Sequence, residues 1–239
     1  MFKKQFAALL VAAAFVTPFA AHAGDHGHGG DAAVAQAFIK EIQTDQSAYA
    51  AAKGTAFFQE LSKGQTPRAT VVTCSDSRVH TNMLDKTPEG DLFMVRNIGN
   101  QMATSKGSVQ YGVNHLGSSL LLIIGHSSCG AIKAASGDYS TLEEPIKKEL
   151  DTIGKVTANI DGVKTNVNNQ VAAAMKEWAE NVKGGKLLIV GAVYDFADDM
   201  KKGAGKLNVI NINGETDPAK LRNMPTQAAK ADHGHGEHH

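Results

Sequence analysis

Residues 69–78 have the sequence ATVVTCSDSR, a short apolar run that ends directly in a polar segment. Residues 119–130 repeat this form, because the run SLLLIIG is followed at once by HSSCG. Apolar runs of this length are typical of strands that are covered on both faces, as in parallel sheets. The two stretches therefore predict an α/β fold in which each polar segment follows the carboxyl end of a strand.

The rest of the sequence alternates between apolar runs and amphipathic segments in the same way. It predicts a mostly parallel central sheet flanked by helices, with an alanine-rich N-terminal helical arm. The predicted strands are residues 69–73, 92–96, 119–125, 186–194 and 207–212. The predicted helices are residues 32–52, 105–116 and 167–182, and we interpret Trp178 in the last helix as a packing residue.

The composition excludes several classes of protein. The chain has 239 residues, of which 42% are hydrophobic, and this length fits one large domain or two small ones. Its 24 Lys and Arg residues match its 24 Asp and Glu residues, so it lacks the basic excess that favours nucleic-acid binding. Its two cysteines allow one disulfide at most. The absence of GxGxxG and P-loop motifs disfavours a nucleotide-binding enzyme.

The first 23 residues have the pattern of a secretory signal peptide. Lys3 and Lys4 precede an apolar stretch, and small residues stand before the predicted cleavage site after Ala23. We therefore expect a periplasmic or secreted protein with no membrane span in the mature chain. His-rich tails are predicted at residues 24–31 and 214–239, where weak metal binding and a solubilising role both stay open.

Cys74, His126 and Cys129 are the candidate metal ligands. The carboxyl ends of strands form the ligand-binding crevice of open α/β sheets, so the two polar segments would bring these side chains together. Two thiolates and one imidazole suit zinc, and they leave a fourth tetrahedral position for water, for substrate or for Asp76. A disulfide between the two cysteines is an alternative that their spacing does not exclude. Asp76 and Arg78 are close enough in sequence to form an ion pair.

Four short motifs resemble those of the β-class carbonic anhydrases, and they occur in the same order. They are CSDSRV at residues 74–79, RNIGN at residues 96–100, GHSSCGA at residues 125–131 and NVNNQV at residues 166–171. The resemblance covers residues 32–213, which are expected to form the catalytic domain. Because these motifs contain the candidate ligands, the resemblance favours zinc over the disulfide.

This resemblance implies a zinc lyase that reversibly hydrates carbon dioxide to bicarbonate and a proton, by attack of a zinc-bound hydroxide. Cys74, His126 and Cys129 would hold one Zn²⁺ per subunit, with Asp76 and Arg78 as the catalytic pair beside it. Asp76 would accept a hydrogen bond from the hydroxide, and Arg78 would hold Asp76 in place. In a closed resting state, Asp76 would instead be the fourth zinc ligand.

The resemblance also implies substrate-binding residues. Gln65, Phe93 and Tyr111 occupy positions where similar proteins line the cleft with Gln, Phe and Tyr. His115 lies four residues after Tyr111, so the two share a face of the predicted helix. An imidazole titrates near neutral pH, and His115 is therefore interpreted either as a proton relay to buffer or as a structural histidine.

For assembly, the resemblance implies a homodimer or a higher oligomer built from dimers, with clefts at the subunit interface and residues 32–52 as an arm around the partner. Two other functions would use the same residues. One is hydrolysis of a related heterocumulene, carbon disulfide or carbonyl sulfide, by the same zinc ligands. The other is zinc buffering outside the cytoplasm, which the His-rich tails suggest, although storage has no use for the Asp76–Arg78 pair.

Overall fold

The structure, a computed structural model, describes residues 32–223. Its strands are β1 (Ala69–Cys74), β2 (Leu92–Asn97), β3 (Leu120–His126), β4 (Leu188–Asp195) and β5 (Lys206–Ile212). They form one sheet with the order β2-β1-β3-β4-β5. The first four strands in this order run parallel, and β5 joins the edge antiparallel to β4. The predicted fold class is confirmed.

Helices flank this sheet. They are α1 (Ala32–Leu61), α2 (Lys106–Gln110), α3 (Gly130–Ala135), α4 (Glu144–Asp151), α5 (Ile160–Glu177), α6 (Ala179–Lys183) and α7 (Pro218–Asn223). A π-helical turn, Tyr111–His115, continues α2, so the predicted helix at residues 105–116 is present with a wider last turn.

Helix α5 begins and ends earlier than the helix predicted at residues 167–182. The Asn159 side chain caps its N-terminus, because it accepts hydrogen bonds from the backbone N–H groups of Asp161 and Gly162. At the other end, Trp178 leaves the helical conformation and its indole N–H donates to Asn114 at 2.8 Å. Trp178 is nevertheless a packing residue, as predicted, since it is buried in the core.

The core forms where α5 packs against β3 and β4, which are buried over most of their length. Two glycines allow this close approach. A Cβ atom at Gly125 would lie 2.7 Å from Val167 Cγ2, and one at Gly191 would lie 2.8 Å from Val167 Cγ1. This contact fixes the carboxyl end of β3, and therefore the position of His126.

Helix α1 continues beyond the predicted arm, although the backbone departs from helical geometry at Gly54, where φ is 76°. None of its residues is buried. Six large apolar side chains on it are exposed: Val34, Phe38, Ile39, Ile42, Tyr49 and Phe58. Several large apolar side chains exposed on one helix indicate an interaction surface.

Among the helices of residues 32–223, none combines the length and the apolarity that crossing a bilayer requires. The predicted signal peptide, its cleavage site and the histidines of both tails lie outside the described residues. The structured chain continues past residue 213, because α7 packs against β5 within the segment that we assigned to the C-terminal tail.

Candidate metal centre

Three donor atoms converge at the carboxyl ends of β1 and β3. Cys74 is the last residue of β1, His126 is the last residue of β3, and Cys129 precedes α3. All three residues are buried, and their ligand atoms lie within 4.8 Å of one another. The structure thus brings these three side chains together at the strand ends, as the sequence predicts.

The imidazole of His126 is oriented as a metal ligand requires. Its Nδ1 lies 2.9 Å from the backbone oxygen of Ser127, an arrangement in which the Nδ1–H group donates and leaves a lone pair on Nε2. This Nε2 atom is buried and has no hydrogen-bond partner within residues 32–223. A buried polar atom without a partner is costly, and a bound cation would satisfy it. The donor set of two sulfurs and one nitrogen fits zinc.

Both cysteines are free thiols, so the disulfide that the sequence left open is not formed in this structure. A hydrogen bond from Cys129 lowers the pKa of Cys74 to about 4, with a smaller contribution from His126. Hydrogen bonding to Cys74 and burial raise the pKa of Cys129. The two cysteines together therefore carry one negative charge. A bound dication would favour loss of the remaining thiol proton.

Backbone N–H groups favour the charged form of both cysteines. Those of Ala131 and Ile132, in the first turn of α3, favour the charged form of Cys129. The backbone of Gly99 does the same for Cys74. The carbonyl of Gly99 in turn accepts hydrogen bonds from the side chains of Gln101 and Asn166, both of which are buried.

Asp76 and Arg78 form the predicted ion pair. Arg78 Nε and Nη2 donate to Asp76 Oδ1 and Oδ2 at 2.9 and 2.7 Å, and the Arg78 backbone N–H adds a third bond at 2.9 Å. The Arg78 side chain lowers the pKa of Asp76 to about 2, so the carboxylate is ionised at neutral pH. Asp76 Oδ2 lies 3.8 Å from His126 Nε2, which places the carboxylate beside the cluster while Arg78 holds it.

Two further residues support this site, and the sequence predicts a role for neither. Arg96 donates to the backbone oxygens of Cys74 and Asp76, at 3.1 and 2.8 Å, and so fixes the turn between them. Phe196 directly follows β4, and its ring contacts both His126 and Arg78. The rule that ligands bind at strand carboxyl ends also applies to β4 and could have found Phe196.

A cavity of about 1220 Å³ opens beside the cluster. Asp76, Arg78 and Cys129 line it, together with Ile132, Ile160 and Val163. Its wall therefore combines apolar and charged side chains. This combination can admit a small apolar molecule and release an anion.

The four remaining predicted site residues lie elsewhere in the chain. Gln65 precedes β1 and lines a second cavity of about 550 Å³ at the amino ends of β1 and β2, opposite the ends that carry the cluster. Phe93 pairs with Thr70 near the start of β1, about 13 Å along the strand from Cys74. The rings of Phe93 and Tyr111 are 5.9 Å apart, and Tyr111 stacks on the exposed His115 at 5.7 Å. One chain alone does not bring these four residues to its own metal ligands.

A parallel α/β sheet with a Cys₂His cluster and an adjacent Asp–Arg pair defines a candidate zinc enzyme. The family model described as "Carbonic anhydrase" matches residues 69–203. Carbonic anhydrase 2 of Mycobacterium tuberculosis is 31% identical over 154 residues, which cover 58% of this chain and 74% of that protein. The chain belongs to the carbonic anhydrase family, and the prediction of an enzyme of this lyase class is confirmed.

Solved β-carbonic anhydrases share the fold. The β-carbonic anhydrase CcaA matches with a TM-score of 0.61 and 23% identity, covering 70% of this chain and 86% of that one. One of two tetrameric β-carbonic anhydrases from Sordaria macrospora also gives 0.61, with 21% identity, 74% of this chain and 97% of that one. The predicted resemblance to the β class is confirmed at the level of family and fold.

Proposed function

We propose that this protein catalyses the zinc-dependent, reversible hydration of carbon dioxide to bicarbonate and a proton. The observation that carries this proposal is the cluster of Cys74, His126 and Cys129 beside the Asp76–Arg78 pair. Removal of metal by a chelator is expected to abolish hydration, and addition of one equivalent of Zn²⁺ per chain to restore it. Activity that persists in protein free of zinc would contradict the proposal.

Zinc, when held by these three residues, supplies a Lewis acid that lowers the pKa of water toward neutral. The chain's own residues orient the reaction. Asp76 is ionised and can only accept hydrogen bonds, so it fixes the proton of the attacking oxygen and leaves a lone pair for carbon dioxide. Arg78 holds both carboxylate oxygens, which prevents Asp76 from rotating. The apolar residues of the cavity wall accommodate the uncharged substrate.

We also propose that a second copy of the chain completes the site. Gln65, Phe93 and Tyr111 lie away from their own metal ligands, and α1 exposes apolar side chains that a partner would cover. Symmetric dimers give each subunit the same contacts. In the dimer, the Gln65 amide would donate to bicarbonate and Phe93 would provide an apolar wall near the partner's cluster.

Mixed dimers test this arrangement. Cys74→Ser and Gln65→Ala chains, each impaired alone, would form hybrids with one intact site, and random mixing should restore about a quarter of the wild-type activity. No recovery in proven hybrid dimers would contradict a shared site.

Export of the mature protein to the periplasm or the medium is a further proposal, which rests on residues 1–23 alone. Intact mass of the secreted protein should show Gly24 as the first residue, and a retained Met1 would contradict it. Neither the heterocumulene nor the zinc-buffering alternative gains support from the comparisons.

A further inference from the structure

We propose that Phe196 is a positioning residue that couples the metal-binding imidazole to the Asp76–Arg78 pair. Its ring stacks on His126, with centroids 5.9 Å apart and planes at 27°. The same ring lies under the Arg78 guanidinium, whose central carbon is 4.8 Å from the centroid. One side chain thus contacts both His126 and Arg78, and the proposed reaction needs these two groups in a fixed relative position.

These contacts close a ring of four side chains. His126 approaches Asp76 at 3.8 Å, Asp76 accepts two hydrogen bonds from Arg78, and Arg78 and His126 both rest on Phe196. Without Phe196, Arg78 keeps its bonds to Asp76 and to the Ser128 carbonyl but loses the surface that orients the guanidinium plane. Half of the Arg78 side chain is exposed, so little else restrains it on the outer side.

The position of Phe196 is itself well fixed. Its backbone N–H and that of Ala197 donate to the buried Ser127 hydroxyl, at 3.1 and 3.2 Å, and its ring meets Tyr194 edge to face at 5.6 Å. Ser127 is the residue whose carbonyl orients His126. The segment after β4 is therefore tied to the segment after β3 through both backbone and ring contacts.

A guanidinium over an aromatic face is stabilised by the ring quadrupole, which an aliphatic side chain lacks. Phe196→Leu keeps an apolar side chain and removes only the aromatic face, whereas Phe196→Tyr keeps the face. We expect Phe196→Leu to lower kcat per bound zinc about tenfold with little change in KM. We expect Phe196→Tyr to keep most of the wild-type kcat.

A double-mutant cycle separates positioning from a general structural effect. If Phe196 acts through Arg78, Phe196→Leu costs less than about twofold in kcat when the cation is already removed in Arg78→Gln. A kcat for Phe196→Leu within twofold of wild type, or an undiminished cost of Phe196→Leu in the Arg78→Gln background, would overturn the proposal.

A second readout needs no activity. Phenylglyoxal modifies free guanidinium groups, and mass spectrometry reports the rate at each arginine. Arg78 should react about threefold faster in Phe196→Leu than in wild type or in Phe196→Tyr. Arg68, which pairs with Asp91 at the amino ends of β1 and β2, serves as the internal control, and its rate should not change. An unchanged rate at Arg78 would overturn the proposal.

The activity arm rests on the proposed function, but the modification arm does not. Zinc content and the thermal unfolding midpoint are measured for each variant, so that loss of folding is recognised. If wild-type protein showed no hydration, the proposed function would fail. The reactivity of Arg78 in the variants would still decide the role of Phe196.

Discussion

Arg78 donates to both carboxylate oxygens of Asp76, from Nε at 2.9 Å and from Nη2 at 2.7 Å. This bidentate geometry is the strongest form of an arginine–carboxylate pair and leaves Asp76 little freedom to turn toward the cysteines and His126. In this structure Asp76 is therefore held in its pair with Arg78.

Asp76→Asn tests the role of this carboxylate as an acceptor. The amide keeps the shape of the side chain but presents a donor group to the site and loses the charge that pairs with Arg78. We expect full zinc content and a loss of about 100-fold in kcat/KM, a magnitude typical of groups that orient a proton in the transition state. Stopped-flow hydration assays measure it, and undiminished turnover at full zinc occupancy would refute the role.

The pH dependence should not arise from Asp76. Its pKa is lowered to about 2 by Arg78, so the carboxylate is charged throughout the range from pH 6.5 to 9. The ion pair with Arg78 stabilises the charged carboxylate and so lowers its pKa. This contribution to the stability of the folded protein is lost as the pH falls from the ordinary pKa of 3.8 toward about 2. The ratio of wild-type to Asp76→Asn activity is therefore expected to stay constant over this range. A ratio that rises steeply with pH would instead indicate that Asp76 leaves a closed, zinc-bound position.

Gly125→Ala tests the packing that positions His126. The new methyl group would lie 2.7 Å from Val167 Cγ2 and 2.8 Å from Val163 Cγ1, so these side chains or α5 itself must shift. We expect a loss of about 1–3 kcal/mol in the free energy of unfolding, measured by urea denaturation. Gly107→Ala is the matched control: it meets no atom within 4 Å and lies in α2, where alanine should stabilise by up to about 1 kcal/mol. Equal stability of the two variants would contradict this account.

His115→Ala tests the proton relay. His115 stacks on Tyr111, as its predicted helical face requires, and the proposed dimer would bring both near the partner's cluster. At low buffer concentration we expect kcat to fall about tenfold, and added imidazole to restore it. His80→Ala, which replaces another exposed histidine, should keep its activity. If His115→Ala turned over like wild type at low buffer, His115 would be a structural residue.

Local signals were sufficient for the sheet and for the metal cluster. The segments 69–73 and 119–125 are apolar because both faces of their strands are buried. The carboxyl ends of parallel strands lie on the same side of the sheet, so the residues that follow them are close together. The ligands Cys74, His126 and Cys129 follow from this geometry. The helical bounds did not. Trp178 ends α5 and bonds to Asn114, which is distant in sequence, whereas the Asn159 cap is a local signal that the prediction missed.

The surroundings of the site were harder to predict for a physical reason. Arg96 and Phe196 act through tertiary contacts with the segments after β1 and β3. Arg96 begins the RNIGN motif and Phe196 follows a strand, but neither signal says which residues these side chains contact. Gln65 and Tyr111 were identified by resemblance alone, and a single chain places them away from the cluster. Their proposed role depends on a second copy of the chain, and no pattern in the sequence shows which residues a partner would approach.

The most direct test of the central claim is stopped-flow hydration of carbon dioxide by zinc-quantified protein, with Cys74→Ser as the control. We expect rapid turnover in proportion to bound zinc, and loss of both zinc and turnover in Cys74→Ser, because one of three protein ligands is weakened. Stoichiometric zinc in the wild-type protein without hydration at any pH from 6.5 to 9 would contradict the assignment.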